Sequence, residues 1–345
     1  MLTDRQRMIL NAIVDDYIRS AEPVGSRSIS KRGDVQYSPA TIRNEMSDLE
    51  ELGFLEQPHT SAGRVPSNKG YRYYVDHLLH YNDLSLHELS TLRTFFSERM
   101  NQTEKIIQHV ASILSGLTNY TSIVLGPQIL HMSLKHIQLV PLNEETAVAI
   151  IVTNTGHVEN KLFSIPVGMP IGELQKFVNI LNAKLKDIPF VSVKTKLYEE
   201  IHAELIQHIG EYEEFMLIVN HLLAEKNIED RVFLSGATNI LTQPEFKDVD
   251  KVKTLLDLLD QSGSVAKLFD AGKEQHSGIQ VRIGSENQNK AIHQCSFITA
   301  SYSVEGHTLG TIGILGPTRM EYGRVISLLD YLSKDLAILL SKHYG

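Results

Sequence analysis

The strongest constraint on this chain is a predicted helix with two different faces at residues 38–53, SPATIRNEMSDLEELG. Ser38 can cap its N-terminus, and Gly53 suits the left-handed position just beyond its end. At about 100° per residue, one face is apolar and carries Ile42, Met46, Leu49 and Leu52. The opposite face is small and hydrogen-bonding, with Ala40, Asn44 and Ser47, and with Arg43 on its flank. Such a helix can lie against the floor of a DNA major groove.

Two predicted helices precede this one. The first begins at a capping box formed by Thr3 and Gln6 and ends near Ser20. The second runs from Ser26 to about Arg32. Two helices, a short turn and a third helix form the helix-turn-helix plan.

A β-hairpin is predicted directly after the third helix. Residues 54–57 can form a short strand, residues 58–63 are turn-forming, and residues 64–66 can return. The hairpin would be the wing of a winged helix, and its tip would offer His59 and Arg64 to DNA phosphates or to the minor groove. The alternative is an ordinary hairpin with solvated polar residues. We favour DNA contact because the helix and the hairpin come in the right order and lengths.

Further along the chain, the pattern predicts helices first and strands later. A helix over 67–81 and capping boxes at Ser85 and Asn101 lead into a second domain. From about residue 120 the spacing is that of strands, at 123–125, 134–140, 146–152 and 157–165. Helices return after residue 170, and strands resume after Asp270 before a last helix. We therefore expect an α+β fold in which helices interrupt an antiparallel sheet.

A predicted helix at 197–226 carries apolar residues at spacings close to those of a heptad seam. They are Leu205, Ile209, Tyr212, Met216, Val219 and Leu223. The seam suits an oligomer contact and an intramolecular core equally well.

Length and cysteine content limit the class of protein. With 345 residues the chain is too long for one ordinary core, so we expect two or three domains. No apolar run reaches the ~18 residues of a membrane span, and the N-terminus lacks the apolar segment of a signal peptide. The single cysteine, Cys295, excludes an intrachain disulfide and a Cys-rich zinc site. We expect a cytoplasmic protein.

The charge of the chain is uneven. Residues 1–75 hold ten basic and ten acidic residues, whereas the remainder holds 23 and 31 and carries the whole net charge of −8. The neutral charge of residues 1–75 permits DNA binding by this N-terminal part, and the acidic charge of the remainder discourages it there.

No pattern typical of catalysis stands out. Gly310, Gly313 and Gly316 lie in an apolar strand rather than at a strand-to-helix turn, so they do not form a nucleotide-binding fingerprint. His77 and His80 have a spacing that can bind a metal, but no carboxylate or thiol is arranged beside them, so a solvated surface is the better interpretation. We expect no enzyme activity, no cofactor and no metal.

Four segments carry a resemblance to a known family. They are PVGSR (23–27), SPATIRNEMSDLEELGFLEQPHTSAGRVPSNKGYRYYVD (38–76), FLSGATNIL (233–241) and GTIGILGPTRMEYGRV (310–325). They closely resemble the HrcA family of heat-inducible transcription repressors, and the resemblance runs along essentially the whole chain.

This resemblance implies a winged-helix head, a GAF-like domain and a dimerising domain inserted into the latter. The expected boundaries are 1–81 for the winged-helix domain, 82–119 for a helical linker, 120–169 and 262–345 for the GAF-like domain, and 170–261 for the insertion. The resemblance also implies a homodimer that represses chaperone operons by binding an inverted repeat, called CIRCE, in double-stranded DNA. The GroEL/GroES chaperonin would keep the repressor active, and heat stress would lower its activity.

An inverted repeat requires two heads related by a two-fold axis. In each head we expect Asn44 to contact an adenine, Arg43 a guanine or a phosphate, and Ala40 a thymine methyl, with Ser47 on the same face. Phosphate contacts are expected from Ser26, Arg27, Ser38, Thr41, His59 and Arg64.

Two other functions remain open at this point. A winged helix joined to a GAF-like domain also suits a regulator whose body binds a small effector, as in the IclR family. An enzyme with a DNA-targeting head is the third possibility, which the missing catalytic patterns disfavour. An open, polar-lined cavity in the GAF-like domain would favour the effector. A cavity filled by the domain's own apolar side chains would favour control by temperature and chaperonin.

Overall fold

A computed structural model of the chain contains a head of short helices with a hairpin, a body built on a five-stranded sheet, and a smaller unit built on a three-stranded sheet. It describes residues 2–58, 63–80, 83–97, 103–126, 133–154, 158–166, 169–197, 216–218, 220, 231–270, 278–304 and 307–344. The combination of helices with antiparallel sheets confirms the predicted α+β class.

The head contains three helices and a hairpin of two short strands, in the predicted order. They are α1 (Asp4–Ser20), α2 (Ser26–Ile29), α3 (Pro39–Glu51), β1 (Leu55–Glu56) and β2 (Val65–Pro66). α1 begins at the predicted capping box, where the Thr3 hydroxyl accepts from Gln6 N at 3.2 Å and Thr3 N donates to the Gln6 side chain at 3.1 Å. α2 ends earlier than predicted because residues 30–32 continue in tighter turns, with Arg32 N donating to Ile29 O at 3.1 Å.

α3 forms where its local signals place it. The Ser38 hydroxyl accepts a hydrogen bond from Thr41 N at 3.1 Å, and Gly53 beyond the end has a φ of +78°. Three of the four apolar residues are buried in the head core: Ile42, Met46 and Leu49. The prediction was wrong for Leu52, which is 48% exposed because it caps the last turn, where the chain already leaves the helix.

The segment predicted as one helix over 67–81 forms a short α-helix and a wider turn. They are α4 (Asn68–Tyr73) and a π-helical turn (Tyr74–Leu78). The Ser67 hydroxyl caps α4 by accepting from Gly70 N at 3.0 Å. Tyr71 is buried, so this aromatic residue belongs to the core rather than to a nucleic-acid surface.

The rest of the chain alternates helices and strands. In chain order the elements are α5 (Leu86–Ser97), α6 (Thr103–Thr118), β3 (Thr121–Leu125), β4 (Leu134–Pro141), β5 (Thr146–Thr153), β6 (Val158–Ser164), α7 (Ile171–Leu185), α8 (Phe190–Lys196), β7 (Val232–Ser235), α9 (Val249–Asp260), α10 (Ser262–Asp270), β8 (Ile279–Ile283), β9 (Cys295–Val304), β10 (His307–Pro317) and α11 (Tyr322–Tyr344). Short 3₁₀ turns occur at Ala237–Thr242, Gly284–Glu286 and Lys290–Ile292.

The five-stranded sheet organises the body. Its order is β7-β3-β10-β9-β8, and all neighbouring strands are antiparallel. α6 and α11 cover one face together with the head, while α9 and α10 cover the other. An antiparallel sheet closed by a terminal helix is the plan that was predicted for the GAF-like domain.

The strands β4, β5 and β6 form a separate antiparallel sheet in that order. Along β5 every second side chain, from Ala147 to Thr153, is buried. The apolar ones among them pack with Phe177 and Leu181 of α7 in one core.

Strand pairing divides the chain differently from the predicted boundaries. The strands at 134–165 were assigned to the GAF-like domain, but they form the separate sheet. β7 was assigned to the insertion, but it pairs with β3. By pairing, the inserted segment therefore lies between β3 and β7. Apolar spacing could not predict this, because it gives the type of an element and not its distant partner.

The predicted heptad seam lies mostly outside the described residues. Of its members only Met216 is described, and its side chain is buried in the core of the three-stranded unit. Within the described ranges, no helix is both long enough and apolar enough to cross a membrane.

Candidate nucleic-acid interface

The outer face of α3 carries a strip of exposed small and polar side chains. We call Ala40, Arg43, Asn44 and Ser47 the recognition strip, and all four are exposed. Among the described residues, no hydrogen bond or ion pair engages the side chains of Arg43, Asn44 or Ser47. Their donors and acceptors are therefore available to groups outside the chain.

The inner face of α3 fixes the direction of this strip. Ile42 and Leu49 are fully buried in a core shared with α1. The Glu45 carboxylate, also buried, binds Arg5 of α1 with 2.5 Å between Oε1 and Nε. Arg5 also lies 5.8 Å from the centroid of the Tyr37 ring, just before α3. Because apolar and charged contacts both anchor the helix, the strip is preorganised for binding.

Two hydroxyl groups lie at the N-terminus of α3. Ser38 is exposed, Thr41 is half-buried, and their side-chain oxygens are 2.9 Å apart. The free backbone N–H groups of a helix N-terminus favour negatively charged partners. A phosphate could therefore be bound at this end of the recognition strip.

The two predicted contacts on α2 differ in accessibility. Ser26 is at the first position of the helix and has only 9% of its surface exposed. Arg27 is exposed, and no hydrogen bond or ion pair engages its guanidinium among the described residues. Arg27 is thus the more accessible of the two.

Arg64 lies at the base of the hairpin and not at its tip, so the position predicted from the sequence was wrong. Arg64 N and O each pair with Val24 across a β-bridge at 2.9 Å. Its guanidinium binds the Glu50 carboxylate of α3, with 2.8 Å from Nε and 2.7 Å from Nη2 to Oε2. This ion pair joins the wing to the recognition helix. The other predicted wing contact, His59, lies outside the described residues.

The hairpin base approaches the chain before α2 very closely. At Gly63 a Cβ atom would lie 2.4 Å from the carbonyl oxygen of Val24, so only glycine fits without a shift of the backbone. The glycine is therefore a sequence signal for the close packing that places Arg64 next to Glu50.

Sequence reasoning missed residues that support the site. Lys69 of α4 donates from Nζ to Leu52 O at 2.8 Å, which satisfies a carbonyl at the C-terminus of α3. The same ammonium lies 4.5 Å from the centroid of the Phe54 ring. Neither this contact nor the Glu50–Arg64 pair has a local signal, because the partners are far apart along the chain.

Arg32 fixes the turn between α2 and α3. Its guanidinium binds Asp16 of α1 at 2.5 Å and Asp34 of the turn at 2.8 Å. The hydrogen bond from Arg32 lowers the pKa of Asp34. Burial raises the pKa of the neighbouring Asp15, while a hydrogen bond from the Tyr74 hydroxyl at 3.1 Å acts in the opposite direction. Among the described residues, no group of three or more His, Cys, Asp or Glu side chains is arranged to hold a metal ion.

Three helices, a following hairpin and an outward strip of hydrogen-bonding side chains define a winged helix-turn-helix protein of the DNA-binding class. Comparison with known families agrees with this class. Residues 1–77 match the model described as the winged helix-turn-helix transcription repressor, HrcA DNA-binding, and residues 104–326 match the HrcA protein C terminal domain. The chain belongs to the HrcA family of transcription repressors.

Similar proteins cover the chain from end to end. The heat-inducible transcription repressor HrcA of Brevibacillus brevis is 57% identical over 344 residues, which is 100% of this chain and 99% of the relative. The protein of the same name from Halalkalibacterium halodurans is 52% identical, again over 100% and 99%. That from Bacillus pumilus is 47% identical over the same shares.

One solved structure shares the fold. It is a crystal structure of a hypothetical protein, with a TM-score of 0.67, 24% identity, and coverage of 99% of this chain and 100% of that chain. At this identity the likeness concerns the arrangement of the elements alone.

Proposed function

We propose that the chain acts in the cytoplasm as a dimeric repressor that binds the CIRCE inverted repeat with two recognition strips, one from each subunit. The observation that carries this proposal is the recognition strip itself. Its polar side chains have no partner among the described residues, while the rest of α3 is anchored in the head core. Polar groups that are fixed and unpaired suit a ligand that supplies complementary hydrogen bonds.

Within the strip, each side chain suits a particular kind of contact. We assign Asn44 to an adenine, Arg43 to a guanine or a phosphate, and Ala40 to a thymine methyl, with Ser47 beside them. Arg27, Ser38 and Thr41 suit phosphates. Arg64 is better assigned to positioning the wing, because its guanidinium is already bound to Glu50.

The second head belongs to a second copy of the chain. We assign the contact between the two copies to the outer face of the three-stranded sheet. Opposite the buried face of β5 lie Val148, Ile150 and Val152, in register with residues of β4 and β6. The neighbours on this face are His136, Gln138, Val140, Val158, Asn160 and Leu162.

The paired positions of this face hold no Lys, Arg, Asp or Glu, although 21% of the chain is charged, and the exposed Lys135 lies only at the bulge where β4 begins. An exposed face of an antiparallel sheet is normally polar, and an aliphatic one indicates a partner. Paired positions without Lys, Arg, Asp or Glu can meet their own copy across a two-fold axis without like charges in contact. An inverted repeat requires that symmetry.

Heat and chaperonin control form the regulatory part of the proposal. Relatives that are 47–57% identical carry the description heat-inducible transcription repressor. In the body, the face between the sheet and helices α9 and α10 holds buried apolar side chains, including Leu255, Phe269 and Phe297. The rings of the two phenylalanines are 5.2 Å apart in an edge-to-face contact. A face filled by its own side chains favours thermal control over an effector site of the IclR kind.

A mobility-shift series tests the proposal. Full-length protein is titrated with a CIRCE duplex, a single half-site and a scrambled duplex, before and after mild heating. We expect the inverted repeat to bind far more tightly than the other two, heating to abolish binding, and GroEL/GroES with ATP to restore it. Equal affinity for all three duplexes would overturn the operator assignment. Full activity after heating without chaperonin would overturn the regulatory assignment.

A further inference from the structure

The head is packed into the body and not tethered to it by a loose linker. One hydrophobic core includes Ile9 and Tyr71 of the head and continues into Tyr322 and Leu329 of α11. Tyr71 and Tyr322 are both buried, and their ring centroids are 5.9 Å apart. Apolar contact of this kind holds two units together, but it is non-directional and does not set their angle.

The most directional contact across this interface is made by Arg72 of α4. Its Nε donates to Glu286 Oε1 at 2.8 Å and its Nη2 donates to Glu286 Oε2 at 2.5 Å. The same Nη2 donates to Val281 O of β8 at 2.6 Å. The carboxylate is itself held, because Glu286 Oε2 accepts from Ile283 N at 2.8 Å. A bidentate pair between two fixed groups constrains orientation as well as distance.

Two further contacts support the interface, one at α1 and one beside Arg72. Arg319 donates from Nη1 to Ile18 O at the end of α1, at 2.5 Å, and its Nε binds Glu245 at 2.5 Å. Beside Arg72, Asn68 packs so closely on Gly284 that a Cβ atom there would lie 2.4 Å from Asn68 Cγ. Arg319 thus attaches the end of α1 to the body, whereas the bidentate pair that constrains the angle is the one on α4.

We propose that the Arg72–Glu286 pair sets the angle of the head on the body and thereby determines which spacing between operator half-sites the dimer accepts. Arg72 is then a positioning residue for specificity. The inference rests on the proposed function, since spacing has meaning only for two heads on one operator. One base pair moves a half-site by about 3.4 Å and turns it by about 35° around the DNA axis. A head held at a fixed angle cannot follow that rotation, whereas a loosened head can.

The test uses full-length protein and CIRCE duplexes whose spacer is natural, one base pair shorter or one base pair longer. We expect the wild type to prefer the natural spacer strongly. In Arg72→Ala that preference falls by about fivefold, the upper range for a partly exposed ion pair. Binding to a single half-site duplex is unchanged. The exchanged pair Arg72→Glu with Glu286→Arg recovers part of the spacer preference.

Asp76→Ala is the matched control. Asp76 binds Arg72 Nη1 at 3.1 Å within the same segment, so this variant removes an ion pair of Arg72 without touching the body. It should keep the wild-type spacer preference. An unchanged preference in Arg72→Ala, with folding verified by circular dichroism, overturns the inference, as does weaker binding to the single half-site. If the wild type itself does not discriminate between one half-site and two, the proposed function fails instead.

Discussion

The recognition strip on α3 and the outer face of the three-stranded sheet are both uncovered, and their chemistry is opposite. The strip is small and polar, with Asn44, Ser47 and Arg43 free of partners among the described residues. The sheet face is mainly aliphatic, with Val158 and Leu162 more than half exposed. A polar surface is well solvated, so exposing it to water costs little free energy, and it suits a partner that must dissociate. An aliphatic surface is costly in water and suits a lasting partner.

The largest effect is expected on the aliphatic face. Leu162→Lys places a charge there without entering the core, so the chain should stay folded and become monomeric. Operator affinity should then fall by at least ~100-fold, because two linked heads gain that much over one. Sedimentation velocity and mobility shift measure both changes. Val249→Lys, at a residue that is 78% exposed on α9, is the control and should leave both unchanged. A dimeric Leu162→Lys protein would show that the subunits meet elsewhere.

A smaller effect is expected at the arginines of the head. Arg27→Ala removes an exposed cation that has no partner among the described residues. The slope of log affinity against log salt concentration should therefore become shallower by about 0.9 per head. Arg64→Ala should lower affinity with little change in that slope, because Glu50 already neutralises its charge. Mobility shifts at several salt concentrations compare the two variants. Equal slope changes would place both guanidinium groups on phosphates.

Two helix caps offer a matched comparison of folding with binding. Ser38→Ala and Thr3→Ala each remove a side-chain cap and should cost about 1 kcal/mol of unfolding free energy. Only Ser38 lies next to the recognition strip. When the two variants are compared at the same fraction of folded protein, only Ser38→Ala should therefore also weaken operator binding. Chemical denaturation and mobility shift separate the two effects. Equal affinities in the two variants would remove Ser38 from the interface.

The smallest effect concerns the buried thiol of the body. Burial raises the pKa of Cys295 from 9.0 to about 12. The folded state therefore favours the neutral thiol, and its contribution to stability is complete below pH 9 and is lost as the pH rises towards 12. The melting temperature of the wild type should fall more steeply between pH 9 and pH 11 than that of Cys295→Ala. Parallel curves would mean that the thiol ionises freely in the folded protein.

Elements with signals inside a short window could be predicted from the sequence. Ser38, Pro39 and Gly53 delimit α3, and the capping box at Ser85 is formed, with the Glu88 carboxylate accepting from Ser85 N at 2.8 Å. The exposure of the recognition strip follows from the same periodicity, because burying one face of a helix exposes the other.

Features that depend on distant partners could not be predicted. β3 pairs with β7 and β10, and nothing in the local pattern of residues 121–125 indicates either strand. Arg64 was predicted at the hairpin tip because the turn residues mark a hairpin but not its exact register. Its partner Glu50 belongs to another element, so the positioning role of Arg64 became visible only in the structure.

The most direct test of the central claim pairs one protein change with base changes in the operator. Wild type and Asn44→Ala are titrated with CIRCE duplexes in which each adenine–thymine pair is replaced symmetrically, with Glu51→Ala as the control on the same helix. We expect Asn44→Ala to lose ~1–3 kcal/mol on the natural duplex and to become indifferent to replacement at one position per half-site. An Asn44→Ala protein with wild-type affinity and an unchanged preference at every position would contradict the assignment of α3 to the major groove.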